Sequence, residues 1–455
     1  MNQLLRYYWE SLRTSYWFLP ALQGLIAIVG ALGTVYLDHI IHEHAKWAIP
    51  WTYTGSPDGA RAVLSTIAGS MMTVAGVVFS ITIVALSLAS GQFGPRLLRN
   101  FIRDRNNQFV LGTFTATFLY CLLVLRTVRS AEDVRFVPGI SVTIGILLAV
   151  FNLGILIYFI HHVAFSIQAT EVIRAVTEEL HQTIDRLWPD RLGQPPPQPE
   201  GMPLDQVPPT PPQRYVHEEA VPMVATHSGY IDVINGEALI KLAREHDLIF
   251  RLAYRPGHFV IEGTTLAWAW PTQPATEEVS RSLNRAFIFA SQRTPFQDVE
   301  FAVDQLVEVA IRALSPGIND PFTALNCIDR LGEALSQLMQ RAVPPALRYD
   351  EDDQLRVITN PADFRAVTDA AFNQIRQYGS GSAAVLIRML ETFRKMGTLA
   401  CREDDLVALG HHANLVVRAA KRDLPEPADL CDVEERYAEL QREFALRKRV
   451  AAPTV

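Results

Sequence analysis

The sequence predicts a membrane all-α unit of four transmembrane helices followed by a soluble α+β domain, a small β unit joined to a helical region. Three observations carry that prediction. Two long stretches hold no Asp, Glu, Lys or Arg, between Arg61 and Arg96 and between Arg135 and Glu171, although charged residues make up 20% of the 455-residue chain. A proline-rich run, with PPPQPE and VPPTPPQ inside 194–213, lacks the backbone donors and apolar side chains that a core needs, so it reads as a semi-rigid spacer. Beyond it, short β-like runs give way to a helical period. The boundaries then fall at 1–190 for the transmembrane domain with a helical extension, 191–214 for the linker, 215–275 for a small α+β or barrel-like unit, and 276–455 for a mainly helical region.

The first span runs from Trp17 to Leu37, long enough to cross a hydrocarbon core of about 30 Å. Tyr16, Trp17 and Phe18 at one end, and Trp47, Trp51 and Tyr53 past the other, supply interfacial aromatics. Tyr7, Tyr8, Trp9, Leu12 and Arg13 fit a short interfacial helix ahead of it. The run leads into Asp38-His39-Ile40-Ile41-His42 and not into a small-residue cleavage site, so no cleavable signal peptide is expected. The second span follows Arg61 and continues to Ser90, which overshoots the bilayer as a single helix. The third covers Phe109 to Leu125. The fourth covers Val137 to Phe159 and extends as helix toward Trp188, where Pro189 and Gly193 end it.

Basic residues orient the spans. With the N-terminus in the cytoplasm, the inner segments hold Arg6, Arg13, Arg96, Arg99, Arg103 and Arg105, with Arg174 close by, against Lys46, Arg61, Arg126, Arg129 and Arg135 outside. The expected location is therefore a bacterial inner membrane with both the N-terminus and the C-terminal domain in the cytoplasm. The dense Arg cluster between spans two and three serves as a topology and headgroup anchor. A net charge of −7 gives no sign of a nucleic-acid partner. Four well-separated cysteines point to reduced thiols and not to a disulfide framework.

Span two carries a stripe. Thr66, Ser70, Thr73, Val77, Ser80, Val84, Ser87 and Gly91 follow alternating steps of four and three, which keep side chains on one helix face. Such small hydroxyls serve close helix packing. They also suit a water- or ion-lined path, which makes Thr66, Ser70, Thr73, Ser80 and Ser87 candidate pore-lining residues. Asp38, His39, His42 and Glu43 pair at four-residue spacing at the outer end of span one, a weak candidate metal site beside the plainer reading of a solvated helix end.

The C-terminal half reads as strand at Gly229–Val233, helix at Gly236–Glu245, strand at Leu248–Tyr254, a turn at Arg255-Pro256-Gly257, and strands at Phe259–Ile261 and Leu266–Trp270. RPGHFVIEGTTLAWAW resembles the hairpins of lipoyl and biotinyl hammerhead domains but lacks the lysine those domains modify, so no cofactor is expected. Helices follow from Glu277, with a stop at Ser315-Pro316-Gly317 after the helical period of Glu300 to Leu314. Asn319 and Asp320 then open the next helix, either as caps or, with Arg312, Ser315 and Thr323, as a ligand-binding turn for a small molecule or ion. The acidic loop Asp350 to Asp353 reads as solvated.

The segments VVFSITIVALSLASGQFGPRLLRNFIRDRNNQFVLGTFTATFLYCLLVLR, HSGYI, RPGHFVIEGTTLAWA and RTPFQDVEFAVDQLVEVAIRALSPGINDPFTALNCIDRL resemble the domain of unknown function 2254 family of predicted bacterial membrane proteins. The resemblance covers nearly the whole chain. It implies a membrane topology in the bacterial inner membrane and brings no reaction with it. HExxH, GxSxG and the phosphate-binding GxxxxGK[ST] are missing, and His227, Asp298, Asp304 and His411-His412 are scattered along the chain, so enzymatic activity ranks last. A channel-like, homo-oligomeric passive transport assembly with a cytoplasmic regulatory domain ranks first. A membrane-anchored sensor or scaffold is the alternative.

Overall fold

The computed structural model describes residues 17–44, 52–94, 104–129, 136–188, 220–271 and 276–451, in two compact units, Met1–Glu171 and Val172–Val455. The interfacial helix expected before Trp17, the arginines at 96, 99 and 103, and the proline-rich linker lie outside the described residues.

The first unit holds four helices long and apolar enough to cross a membrane: α1 (Phe18–His44), α2 (Pro57–Phe93), α3 (Arg105–Leu125) and α4 (Gly139–Ser166). Ser56 caps α2 by accepting from the Gly59 amide at 3.2 Å, and Pro57 presets its first turn. At 37 residues α2 is about 55 Å long, well beyond the hydrocarbon core. Asp104 caps α3 through the Asn106 amide at 2.9 Å. The third helix is the hub of the unit and packs against all three others. Its apolar partners form two clusters, one around Leu64, Cys121, Val124 and Val142 and one around Val78, Phe114 and Phe159.

The helix expected to run unbroken from span four toward Trp188 is interrupted. α4 ends at Ser166, and α5 (Ala169–Leu187) begins after Ile167 and Gln168. The Ser166 hydroxyl donates to the Val163 carbonyl at 3.1 Å, and the Gln168 amide donates to Phe165. These short-range bonds tighten the last turn and replace the regular ladder. From Val172 on, α5 belongs to the second unit.

The second unit comprises β1 (Val221–Val224), β2 (Gly229–Ile234), α6 (Gly236–Glu245), β3 (Ile249–Leu252), β4 (Phe259–Val260), β5 (Thr265–Trp270), α7 (Glu277–Arg285), β6 (Phe287–Ala290), α8 (Val299–Ala313), α9 (Pro321–Met339), β7 (Leu347–Tyr349), β8 (Leu355–Ile358), α10 (Phe364–Tyr378), α11 (Ala383–Leu399), α12 (Glu403–Asp423) and α13 (Pro427–Ala451). The strands form a five-stranded sheet in the order β1-β5-β3-β8-β7 and a three-stranded sheet in the order β4-β2-β6. β3 and β8 run parallel, with Phe250 opposite Val357, and the other pairs are antiparallel. Phe250, Leu266, Leu239 and Leu283 fill the core beneath these sheets. Among the helices, Phe372 and Phe393 meet edge to face at 4.8 Å.

In the acidic loop Glu351, Asp352 and Asp353 are exposed, and Asp350 alone departs from expectation. Asp350 is buried and accepts from Arg356 Nε at 2.6 Å and from the amides of Gln354 at 2.9 Å and Asp352 at 3.0 Å. The Arg356 guanidinium holds its carboxyl below the ordinary carboxylate range.

Candidate functional site

Three places gather chemistry: a charged clasp in the second unit, the polar interior of the membrane unit, and the outer face of α2.

The clasp joins the Arg255-Pro256-Gly257-His258 turn to the start of α8. Asp298, 4% exposed, caps α8 by accepting from the Phe301 amide at 3.0 Å. Its other oxygen accepts from Arg293 Nε at 2.7 Å, and Arg293 reaches Asp304 at 2.8 Å. Asp298 and Asp304, scattered in the sequence, thus converge on one guanidinium. Arg255 pairs with Glu300 at 2.6 Å, and Thr294 donates to the buried Asp232. Gly257, at φ +89°, lets the turn close down: a Cβ there would sit 2.0 Å from Asp298 Oδ2. His258 stands edge-on to Tyr254 at 6.1 Å, and burial together with Arg255 keeps its imidazole below its ordinary pKa. Three of these carboxylates are held by two guanidinia and the fourth by a hydroxyl, so the arrangement holds a turn against a helix.

The turn between α8 and α9 is built from its own caps. Asp320 accepts from the Thr323 amide at 3.2 Å and hydroxyl at 2.5 Å, and Ser315 donates to the Arg312 carbonyl at 2.6 Å. Asn319 sits at φ +51° with its amide on Ser315, and Arg312 lies 3.6 Å from Glu308. Ile318 and Phe322, which sequence reasoning passed over, stand out from this turn, Phe322 at 79% exposure. The remaining titratable residues stay apart. His227 bonds Thr226 at 2.9 Å, and His412 is buried against Phe372 and Phe393 with Nε2 2.9 Å from Asp369.

Near the C-terminal end of α1, Asp38 is buried and binds the first turn of α4. Its carboxylate accepts from the amides of Ile140 and Ser141, each at 2.9 Å, and from the Ser141 hydroxyl at 2.6 Å. A carboxylate at a helix N-terminus meets both the free amides and the positive end of the helix dipole. His39 stands edge-on to Phe136 at 5.9 Å, and the side chains of His42 and Glu43 lie outside the described residues.

From Asp38 a lane of polar side chains continues inward along α3. Tyr120 donates to the Ser141 carbonyl at 3.1 Å and meets Thr34 at 3.0 Å. One turn further, Asn152 of α4 donates to Thr117 at 2.7 Å, and another turn on, Gln23 of α1 donates to Thr113 at 3.1 Å. Sequence reasoning passed over this lane, for which the lone Asn in the fourth span is the available signal. Separately, Asp104 meets His162 at 2.6 Å where α3 begins.

The stripe on α2 faces away from all of this. The buried positions of α2 include Ala60, Leu64, Ala68, Ala75, Val78, Ala89 and Phe93. Thr66, Ser70, Thr73, Val77, Ser80, Val84, Ser87 and Gly91 fall about 200° around the helix from that series, and every one is exposed on the chain. Thr66 and Thr73 return their hydroxyls to the carbonyls of Ala62 and Gly69, at 2.7 and 3.0 Å. Gly69, Gly76 and Gly91 have open space where a Cβ would stand. Packing within the chain therefore does not account for the small residues.

The family described as predicted membrane protein (DUF2254) matches residues 13–395. An uncharacterized protein of Mycobacterium tuberculosis and another of Mycobacterium bovis are each 34% identical over 386 residues, which is 83% of this chain and 71% of theirs. No solved structure matches.

Proposed function

The chain belongs to the DUF2254 family of predicted membrane proteins, and from that premise we propose a channel-like passive transport assembly of several copies in the bacterial inner membrane. In this reading the N-terminus and the C-terminal unit face the cytoplasm, and the C-terminal unit regulates passage. The supporting observation is the outward α2 face. A surface turned only to lipid has no use for hydroxyls and glycines, whereas small residues let neighbouring helices approach and hydroxyls give a permeant species weak contacts. Copies brought together through α2 would set Ser70, Ser80 and Ser87 along their shared axis. The test is solute and ion flux into proteoliposomes, with cross-linking of cysteines introduced along the stripe. Parent protein should pass small solutes and cross-link, and Ser70→Leu or Ser80→Leu should abolish flux. No flux from parent protein, or full flux from both leucine variants, removes the reading.

One observation favours the second reading, a membrane-anchored sensor or scaffold: Ile318 and Phe322 project from the α8–α9 turn beside Arg312, Ser315, Asn319, Asp320 and Thr323. A ligand or protein partner held there would protect Phe322 from solvent. A thermal-shift screen with metabolites and ions on the detergent-solubilised chain tests this, and loss of the response in Phe322→Ser would locate it.

A further inference from the structure

The polar lane has acceptors that its own side chains leave unmet. Asn152 is fully buried; its Nδ2 donates to Thr117 and its Oδ1 has no partner among the described residues. Exchanging the amide's oxygen and nitrogen does not remove the problem, because one of the two polar atoms is still left over. Gln23 repeats the pattern one turn away. Its Nε2 donates to Thr113, while the buried Oε1 has no partner and is pressed against Gly112, where a Cβ would lie 1.8 Å from it.

In hydrocarbon an unmet amide oxygen has no solvent to turn to, so it is retained where something donates to it. The protein offers little. Asp38 is itself an acceptor already holding three donors, and the Thr113 hydroxyl donates to the Phe109 carbonyl at 2.8 Å. Thr117 accepts from Asn152, which leaves its proton to be donated onward. Among the described residues no group of three His, Cys, Asp or Glu side chains is arranged to hold a metal ion.

We propose that the membrane unit binds a water beside α3, donating to Asn152 Oδ1. The water accepts the Thr117 proton and donates to Asn152, which supplies the two polar partners a buried water requires. It extends the row Tyr120, Thr34, Ser141 and Asp38 toward the middle of the membrane unit. The inference makes no use of the outer face of α2, so its outcome is independent of the channel reading.

Radiolytic hydroxyl-radical footprinting of the full chain in lipid nanodiscs tests it, because radicals formed from a bound water modify the side chains around it. Tyr120 and Cys121 lie one turn from Thr117 on α3 and are 3% and 0% exposed, so bulk solvent does not reach them. Both should be modified in the parent protein, and modification should fall to background in Asn152→Leu, which keeps the shape and removes the acceptor. Should the leucine variant not fold, Thr117→Val removes the water's other partner and should give the same loss. Unmodified Tyr120 and Cys121 in the parent protein, or modification that persists in the folded variants, would overturn the proposal.

Discussion

Arg293→Met is the most direct probe of the C-terminal unit. The substitution keeps much of the apolar stem but removes the guanidinium from two carboxylates at once, and from its place 5.3 Å over the Phe301 ring. Asp298 is 4% exposed and Asp304 17%, so neither recovers full hydration when its partner leaves. Removing one member of a buried pair costs about 3–5 kcal/mol, mostly because the other charge stays behind unpaired. At about 2–4 °C per kcal/mol for a unit of this general size, melting of the C-terminal unit should fall by roughly 10 °C. Differential scanning fluorimetry of the detergent-solubilised chain reads this out. Asp298 also caps α8, so the triple variant Arg293→Met, Asp298→Asn, Asp304→Asn, which keeps a capping oxygen and removes the stranded charges, should recover most of the loss. A single variant that melts with the parent, or a triple variant no better than the single, refutes the idea that both carboxylates depend on the Arg293 guanidinium.

Other perturbations have equally definite outcomes. Gly257→Ala meets both a positive φ and the Asp298 carboxylate, and should cost about 1–3 kcal/mol in the same melting assay. Asp38→Ala strands two amides and a hydroxyl of α4 and should destabilise the membrane unit by about 2–4 kcal/mol, with Asp38→Asn in between, measured by thermal aggregation in detergent. Burial lowers the pKa of His412 from 6.5 to about 4, so the unfolded chain binds the extra proton between those values. Stability should therefore fall as pH drops from about 6.5 toward 4, by at most about 3 kcal/mol, and His412→Leu should flatten that part of the melting-versus-pH curve.

The parts of this molecule that depend on local pattern were legible in its sequence. Charge-free runs gave four spans, the helix at Gly236–Glu245 emerged between its turn residues, and Ser315-Pro316-Gly317 stopped α8 where the helical period ended. The parts that depend on distant partners were not. β8 joins β3 from more than a hundred residues away, and nothing in Leu355–Ile358 alone names that neighbour. Arg293 reads as one surface arginine among many until folding sets Asp298 and Asp304 around it. Asp38 looks like a solvated helix end because its partners begin at Ile140. Asn152 is the only Asn of its apolar span and was passed over in the sequence, and its unmet oxygen belongs to three-dimensional placement alone. The outward turn of the α2 stripe likewise required knowing which face the other helices cover.

The bond from Asp38 to Ser141 also bears on how the protein is made. The two residues are 103 positions apart, so at synthesis rates of about 5–20 residues per second the carboxylate waits about 5–20 s for the amides that will receive it. During that interval the first span carries an unsatisfied acid near its C-terminal end, where headgroups and water must serve. The first and last spans can lock only after the second and third are already present. Closure of the membrane unit is thus a late event in its assembly, timed by the arrival of the fourth helix.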